Sequence, residues 1–343
     1  MLKPEVPHGE VHTLWIDSEI LRDNPWRDPT RRRIDVYLPP GITMDSNQNL
    51  PVLYDLVGYT SGGPKHTAYR NFGESVPERM DRLIANGDTK PAIIVFPDCF
   101  TALGGNQYIN SAGVGPWADF LLKEVIPFIE SHAPVLPGRN ARGVFGKSSG
   151  GYGAIIHALR YHEYWDAVAC HSGDMYFEFC YRTDFPDTLD ILAIHDRSIE
   201  KFIKYFHTSE KVSGDEFQAL MTIAMAATYD PNPDNPRDIR LPVDLYTGAF
   251  KPERWEKWLA HDPVHLVDEL GDNLRDLDLV YIDCGSEDQY NLVYGARILH
   301  EKLDAMEINH IYEEFPDNHS SVDYRMDRSI PLLIDALTPF REN

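Results

Sequence analysis

The sequence predicts an α/β fold with a mostly parallel central sheet and helices on both faces. Short apolar runs alternate with stretches of helical spacing along most of the chain. The two opening runs are joined without a helix, which predicts an antiparallel edge to the sheet. A composition of 43% hydrophobic and 25% charged residues over 343 positions is typical of a globular chain that buries a large core.

The N-terminal half supplies the first strands of this sheet. Residues 11–21 and 31–38 alternate apolar and polar side chains, and a Pro-Pro-Gly sequence ends the second run. Residues 50–57 and 92–96 are nearly continuous apolar runs, which indicates strands buried on both faces of the sheet. The helical spacing of apolar residues predicts helices over residues 77–86 and 117–132.

The regular alternation is interrupted in the second half of the chain. After a strand at residues 165–170, the segment from about 175 to 274 holds aromatic clusters and helical stretches but no clear strand. We therefore expect one domain over residues 1–343, with a helical, cap-like insertion at about 175–274. Strand and helix then alternate again at residues 277–283, 292–306 and 309–315, with a closing helix after Ser320.

A tight turn with a serine at its apex is predicted near the middle of the chain. The apolar residues 144–145 lead into Gly146-Lys147-Ser148-Ser149-Gly150, a G-x-S-x-G sequence, and helical spacing over residues 149–161 follows at once. A G-x-S-x-G sequence alone is also compatible with an ordinary Gly/Ser turn. The strand–turn–helix order favours a nucleophile elbow, so we predict Ser148 as a nucleophile and the order of elements as that of an α/β-hydrolase fold.

A serine hydroxyl needs an adjacent base and an acid that orients this base. In this fold both follow the serine along the chain, the acid first. His319 lies after the final strand and is the predicted base. The loop after the preceding strand offers Asp288 and Glu287, whereas Asp283 is expected to belong to the strand itself. We favour Asp288 as the acid, with Glu287 as the competitor.

The remaining site predictions concern the oxyanion and the substrate pocket. The backbone N–H groups of Ser149 and of Tyr59, in the loop after the third strand, are predicted to stabilise the oxyanion. The alternative for the Tyr59 loop is a flexible connection. Aromatic residues of the insertion are candidates for an acyl or aryl pocket, or else for the core of the insertion. They are Tyr176, Phe177 and Trp255, with Phe179 and Trp258.

Composition excludes several classes of partner. A net charge of −22 and a pI of about 4.9 argue against binding to nucleic acid or to an anionic membrane. The four cysteines are scattered, which indicates reduced thiols rather than a disulfide framework or a metal site. Without an apolar signal segment, a membrane-spanning run, a P-loop or an H-E-x-x-H sequence, we expect a cytoplasmic protein with no metal site. The sequence leaves homo-oligomers open.

Taken together, the motifs resemble the putative esterase family of α/β-hydrolases, which includes esterase D (S-formylglutathione hydrolase), enterochelin esterases and bacterial mycolyltransferases. The resemblance implies Ser148 as nucleophile, Asp288 as acid and His319 as base, with no cofactor. Relatives often have His before the nucleophile, where this chain has Lys147. The motifs that carry the resemblance lie at residues 97–111, 146–154, 171–174, 282–290 and 317–320.

The sequence therefore predicts a serine carboxylic-ester hydrolase that acts through an acyl-enzyme on a small to medium acyl ester. A thioesterase or an acyltransferase with the same Ser-His-Asp triad is the main alternative. A catalytically silent hydrolase fold used for binding would have a broken triad, whereas here all three positions are filled.

Overall fold

An eight-stranded sheet runs through the centre of the computed structural model, which describes residues 5–337. Its strands are β1 (Glu10–Asp17), β2 (Arg31–Leu38), β3 (Val52–Leu56), β4 (Ile93–Pro97), β5 (Arg142–Lys147), β6 (Ala167–His171), β7 (Leu279–Gly285) and β8 (Ile311–Phe315). They lie side by side in the order β1-β2-β4-β3-β5-β6-β7-β8. The pairs β1–β2 and β2–β4 are antiparallel and all the others are parallel, which confirms the predicted sheet with its antiparallel edge.

Helices cover both faces of the sheet. Those outside the long β6–β7 connection are α1 (Pro64–Thr67), α2 (Val76–Asn86), α3 (117–132, with a π-helical segment Phe120–Val125), α4 (Ser149–Arg160), α11 (Leu292–Ala305) and α12 (Met326–Ala336). Successive side chains of a strand point to opposite faces, so Phe145 belongs to the core cluster that includes residues of α2 and α12, while Val144 belongs to the cluster that includes residues of α3, α4 and α11. The nearly continuous apolar runs of the central strands follow from this double burial.

One strand ends earlier than the sequence predicts. The alternation from residue 11 predicts a strand that reaches residue 21, but β1 ends at Asp17. Beyond it, the carboxylate of Glu124 on α3 accepts hydrogen bonds from the amides of Glu19 and Ile20, and Ser18 Oγ accepts one from the amide of Leu21. These amides are therefore not available to continue a strand ladder. The other predicted boundaries differ from the observed ones by two residues or fewer.

The connection between β6 and β7 consists mainly of short helices. A cluster of buried aromatic rings, among them Phe177, Tyr181, Tyr229 and Trp258, holds several of them together. The bridge between Val243 and Phe250 is the only strand-like pairing found in the described part of this segment. Its helices are α5 (Phe177–Cys180), α6 (Phe185–Ile194), α7 (Ile199–Thr208), α8 (Gly214–Tyr229), α9 (Pro252–Leu259) and α10 (Pro263–Leu270).

Over residues 5–337, no helix combines the length and the apolarity that crossing a membrane requires. The four cysteines, Cys99, Cys170, Cys180 and Cys284, are all buried and unpaired.

A neutral histidine is buried under the loop that follows β4. His157 lies on α4 without solvent exposure, and its Nε2 donates a hydrogen bond of 2.8 Å to the carbonyl oxygen of Tyr108. Burial lowers the pKa of His157 to about 4; the Tyr108 carbonyl opposes this shift, and the charge of Arg160 adds to it. The unfolded chain binds a proton at this ring more tightly, so acid favours unfolding.

We expect His157→Gln to reduce the acid sensitivity of the fold, because Gln retains a hydrogen-bond donor but does not titrate. The contribution of neutral His157 is complete above about pH 6.5 and is lost as the pH falls towards about 4. Over that window the free energy of unfolding of the wild type should fall by roughly 2–3 kcal/mol more than that of the variant. Urea unfolding at pH 7, 5.5 and 4.5 measures this difference, and equal losses in the two proteins would contradict it.

Candidate active site

Ser148 lies at the apex of a tight turn between β5 and α4. Its backbone has φ 59° and ψ −126°, a conformation that costs energy for a residue with a side chain. The two glycines of the motif are required by crowding. A Cβ on Gly146 would lie 2.4 Å from the carbonyl oxygen of Leu56, and one on Gly150 would lie 1.7 Å from it. The predicted strand–turn–helix elbow is therefore present, pressed against the end of β3.

The predicted base and acid meet at the carboxyl ends of the last two strands. Nδ1 of His319, which follows β8, lies 2.8 Å from Oδ2 of Asp288, which follows β7. The amide of Tyr290 donates to Asp288 Oδ1 at 2.9 Å, and the Tyr290 ring meets the His319 ring edge to face. The Asp288 side chain is fully buried, whereas Glu287 is exposed. Only Asp288 of these two carboxylates contacts His319 in the described structure.

Ser148 and His319 line the same cavity, which has a volume of about 700 Å³. No hydrogen bond joins the two side chains in the part of the chain that the structure describes. The Ser148 hydroxyl instead donates to Asp174 Oδ1 over a long distance of 3.4 Å. Hydrogen bonds between catalytic groups are often long before substrate binds, so the open arrangement is compatible with a nucleophile and its base.

Asp174 is a site residue that the sequence analysis did not single out. Its Oδ2 accepts hydrogen bonds from the hydroxyls of Ser149 at 2.9 Å and Tyr181 at 2.8 Å, and from the amide of Gln107 at 3.5 Å. Burial raises the pKa of Asp174, and these donors counteract the rise only in part. Its position just beyond the carboxyl end of β6 is the signal that could have found it, because ligands bind there in parallel sheets.

The loop after β3 lies against the nucleophile. A Cβ on Gly58 would lie 3.4 Å from Ser148 Cβ, and Tyr59 follows directly. Gly105 holds this loop in place, since its amide donates to the Tyr59 carbonyl at 2.6 Å and a Cβ at Gly105 would lie 2.2 Å from that oxygen. Neither the Tyr59 nor the Ser149 amide has a hydrogen-bond partner within residues 5–337.

A family model described as "Putative esterase" matches residues 29–327 of the chain. The chain belongs to the putative esterase family. The resemblance drawn from its motifs is thereby confirmed. Among curated proteins, Esterase Rv1288 of Mycobacterium tuberculosis (strain H37Rv) is 37% identical over 90 residues. That match covers 24% of this chain and 19% of the relative's length.

Solved structures show the fold of this esterase-family chain. A ferulic acid esterase is 19% identical with a TM-score of 0.62, and the match covers 96% of this chain and 99% of that one. An S-formylglutathione hydrolase from Staphylococcus aureus is 15% identical with a TM-score of 0.57, covering 95% and 99%. One from Agrobacterium tumefaciens is 14% identical with a TM-score of 0.57, covering 98% and 99%. With the sheet order, these likenesses establish the α/β-hydrolase fold.

The structure places the predicted pocket aromatics away from the cavity. Phe177 and Trp255 are buried in the insertion, against Tyr229 and Trp258 respectively, and Tyr176 packs on Phe179. Phe177 and Trp255 therefore belong to the core of the insertion, whereas Tyr176 is only partly buried. The residues of the insertion that do line the cavity are Cys180, Tyr181, Gly214, Phe217, Gln218 and Met221.

Two groups of side chains could hold a cation in the described structure, and both lie outside the cavity. The first comprises His300, Asp304 and His310. The second comprises Glu178, Asp262 and His265, but the Asp262 carboxylate already accepts hydrogen bonds from three backbone amides.

This esterase-family chain contains a second Ser-His-Asp set. Ser329 Oγ lies 2.8 Å from His171 Nε2, and His171 Nδ1 lies 2.7 Å from Asp283 Oδ1. All three residues are at most 2% exposed, and none of them lines the cavity. The set joins β6 and β7 to α12, as a buried polar network whose groups are satisfied. Solvent access, rather than residue type, distinguishes it from the set around Ser148.

We expect Ser329→Ala to reduce stability without changing the reactive serine. The substitution leaves His171 Nε2 buried without a partner, so the free energy of unfolding should fall by about 1–3 kcal/mol. A fluorophosphonate probe should still label Ser148, as shown by peptide mapping, whereas Ser148→Ala should abolish labelling with the fold retained. Labelling on the peptide that contains Ser329 would contradict this assignment.

Proposed function

We propose that this chain hydrolyses carboxylic esters through a Ser148-His319-Asp288 triad. The observation that carries the proposal is the 2.8 Å contact between His319 and the buried Asp288, at a cavity that Ser148 also lines. Ser148 Oγ attacks the acyl carbon while His319 Nε2 takes its proton. Asp288 accepts the hydrogen bond from Nδ1–H and stabilises the imidazolium that forms.

The amides of Tyr59 and Ser149 hold the oxyanion of the tetrahedral intermediate. His319 then returns the proton to the alcohol oxygen as the C–O bond breaks, which leaves the acyl group on Ser148. Water, deprotonated by His319, attacks this acyl-enzyme, and the products are a carboxylic acid and free Ser148. Family membership supports this chemistry, and no step requires a cofactor.

Ser148 must turn towards His319 before this proton transfer. In the structure its hydroxyl donates to Asp174 over 3.4 Å, a long contact that is weaker than a hydrogen bond of ordinary length. We infer that rotation about the Cα–Cβ bond turns the hydroxyl from Asp174 towards His319. We propose that the rotamer facing His319 is the productive one. From it the proton can move directly to the base as the bond to the acyl group forms.

The cavity suits an ester of small to medium size. Its volume of about 700 Å³ lies within the usual range for small-molecule sites. Tyr181, Phe217 and Met221 bring apolar surface from the insertion to one side of the cavity, so we propose residues 175–274 as a cap over the nucleophile.

A thioesterase with the same triad is the second candidate. It is favoured by the full-length likeness to S-formylglutathione hydrolases from two bacteria. The relative rates on an oxygen ester and a thiol ester with the same acyl group separate the two functions, and an added acceptor alcohol reports acyl transfer.

Asp288→Asn should lower kcat on a p-nitrophenyl ester by roughly 10⁴-fold, because the amide stabilises the wrong tautomer of His319. His319→Ala should reduce kcat to a similar extent, since it removes the base. Glu287→Gln is the matched control: it removes an exposed carboxylate one residue away, and kcat should stay within about threefold of the wild type. If Glu287→Gln is the harmful substitution and Asp288→Asn is not, the acid has been assigned to the wrong residue.

A further inference from the structure

Three cationic side chains lie together on one side of the cavity. His66 on α1, Arg70 in the loop after α1 and Lys147 at the end of β5 all line it, and we refer to them as the cationic wall. The whole chain has a net charge of −22, so a local excess of basic groups beside the nucleophile runs against its composition. Such a field favours an anion in the cavity.

A buried carboxylate favours the charged form of His66. Its Nδ1 lies 2.6 Å from Oδ2 of Asp55, a carboxylate with no solvent exposure. Burial by itself would lower the pKa of His66, but the charge and the hydrogen bond of Asp55 outweigh it and raise the pKa above the usual value. In the protonated ring, Nε2–H has no acceptor among the described residues. Arg70 is paired with Asp323 but retains further N–H groups.

Lys147 is the member of the cationic wall whose ammonium group has no partner among the described residues. It precedes Ser148 directly, and its backbone pairs with His171 at the end of β6. No hydrogen bond or ion pair joins its ammonium group to any residue in the range 5–337. Burial lowers its pKa, and Asp323 and Asp288 counteract this effect without contacting it. A partly buried cation without a partner is costly, unless a bound anion supplies the missing contact.

We propose that the cationic wall binds a carboxylate of the substrate, so that the preferred substrates are esters carrying a second, free carboxylate, such as monoesters of dicarboxylic acids. This inference rests on the proposed ester hydrolysis at Ser148. Asp174 favours one orientation of the substrate in the cavity. Its carboxylate contacts Gln107 and Tyr181 and, when ionised, disfavours a second carboxylate beside it.

The test compares two esters that differ by one negative charge and one methyl group. They are the 4-methylumbelliferyl ester of adipic acid with its other carboxylate free, and the same ester with that carboxylate methylated. The wild type should show a kcat/KM at least about tenfold higher on the free acid, mainly through KM, and added salt should reduce this preference. Lys147→Met should remove most of the preference, and Lys147→Arg, which keeps the charge, should retain it.

Lys204→Met is the matched control, because it removes the same charge from an exposed position on α7 and should leave the ratio of the two rates unchanged. Fluorophosphonate labelling of Ser148 verifies that each variant is folded. A wild type that hydrolyses both esters equally well would overturn the inference and leave the proposed function intact, as would a Lys147→Met variant with the full preference. Hydrolysis of neither ester by labelled wild type would overturn ester hydrolysis itself.

Discussion

The close packing of the elbow against the end of β3 is the constraint on which the rest of the site depends. The carbonyl oxygen of Leu56 leaves no space for a Cβ at Gly146 or Gly150, so the strand, the turn and the helix meet almost backbone to backbone. This contact sets the position of Ser148 and forces its unusual backbone angles. It also brings the loop after β3 beside the nucleophile, because that loop follows Leu56 directly.

The parallel sheet brings together site residues that are far apart along the chain. Ser148, Asp174, Asp288 and His319 follow the neighbouring strands β5, β6, β7 and β8, and all four strands end at the same edge. Each loop therefore needs to place only one group, because the strand spacing of about 4.8 Å already brings neighbouring loops close together. The helices of the insertion then add an apolar boundary, while α1 and the loop after it add the charged one.

Local pattern predicted most of the fold and the residues of the proposed triad. The alternation of apolar runs, the glycines around Ser148 and the order in which Asp288 and His319 follow it are all visible in the sequence. Contacts between distant segments were not predictable in this way. Glu124 ends β1 from a helix more than a hundred positions away, and Phe177 packs inward against rings supplied by α4 and α8. Such contacts exist only once the chain has folded.

The buried set of Ser329, His171 and Asp283 has a consequence for methods that assign enzymes by matching three-residue templates. Its hydrogen bonds of 2.8 and 2.7 Å form an unbroken relay, whereas the relay at the cavity is open between Ser148 and His319. A template ranked on interatomic distances alone would select the serine that no solvent or reagent reaches. A filter that first requires the serine itself to line a cavity would return the serine at the elbow.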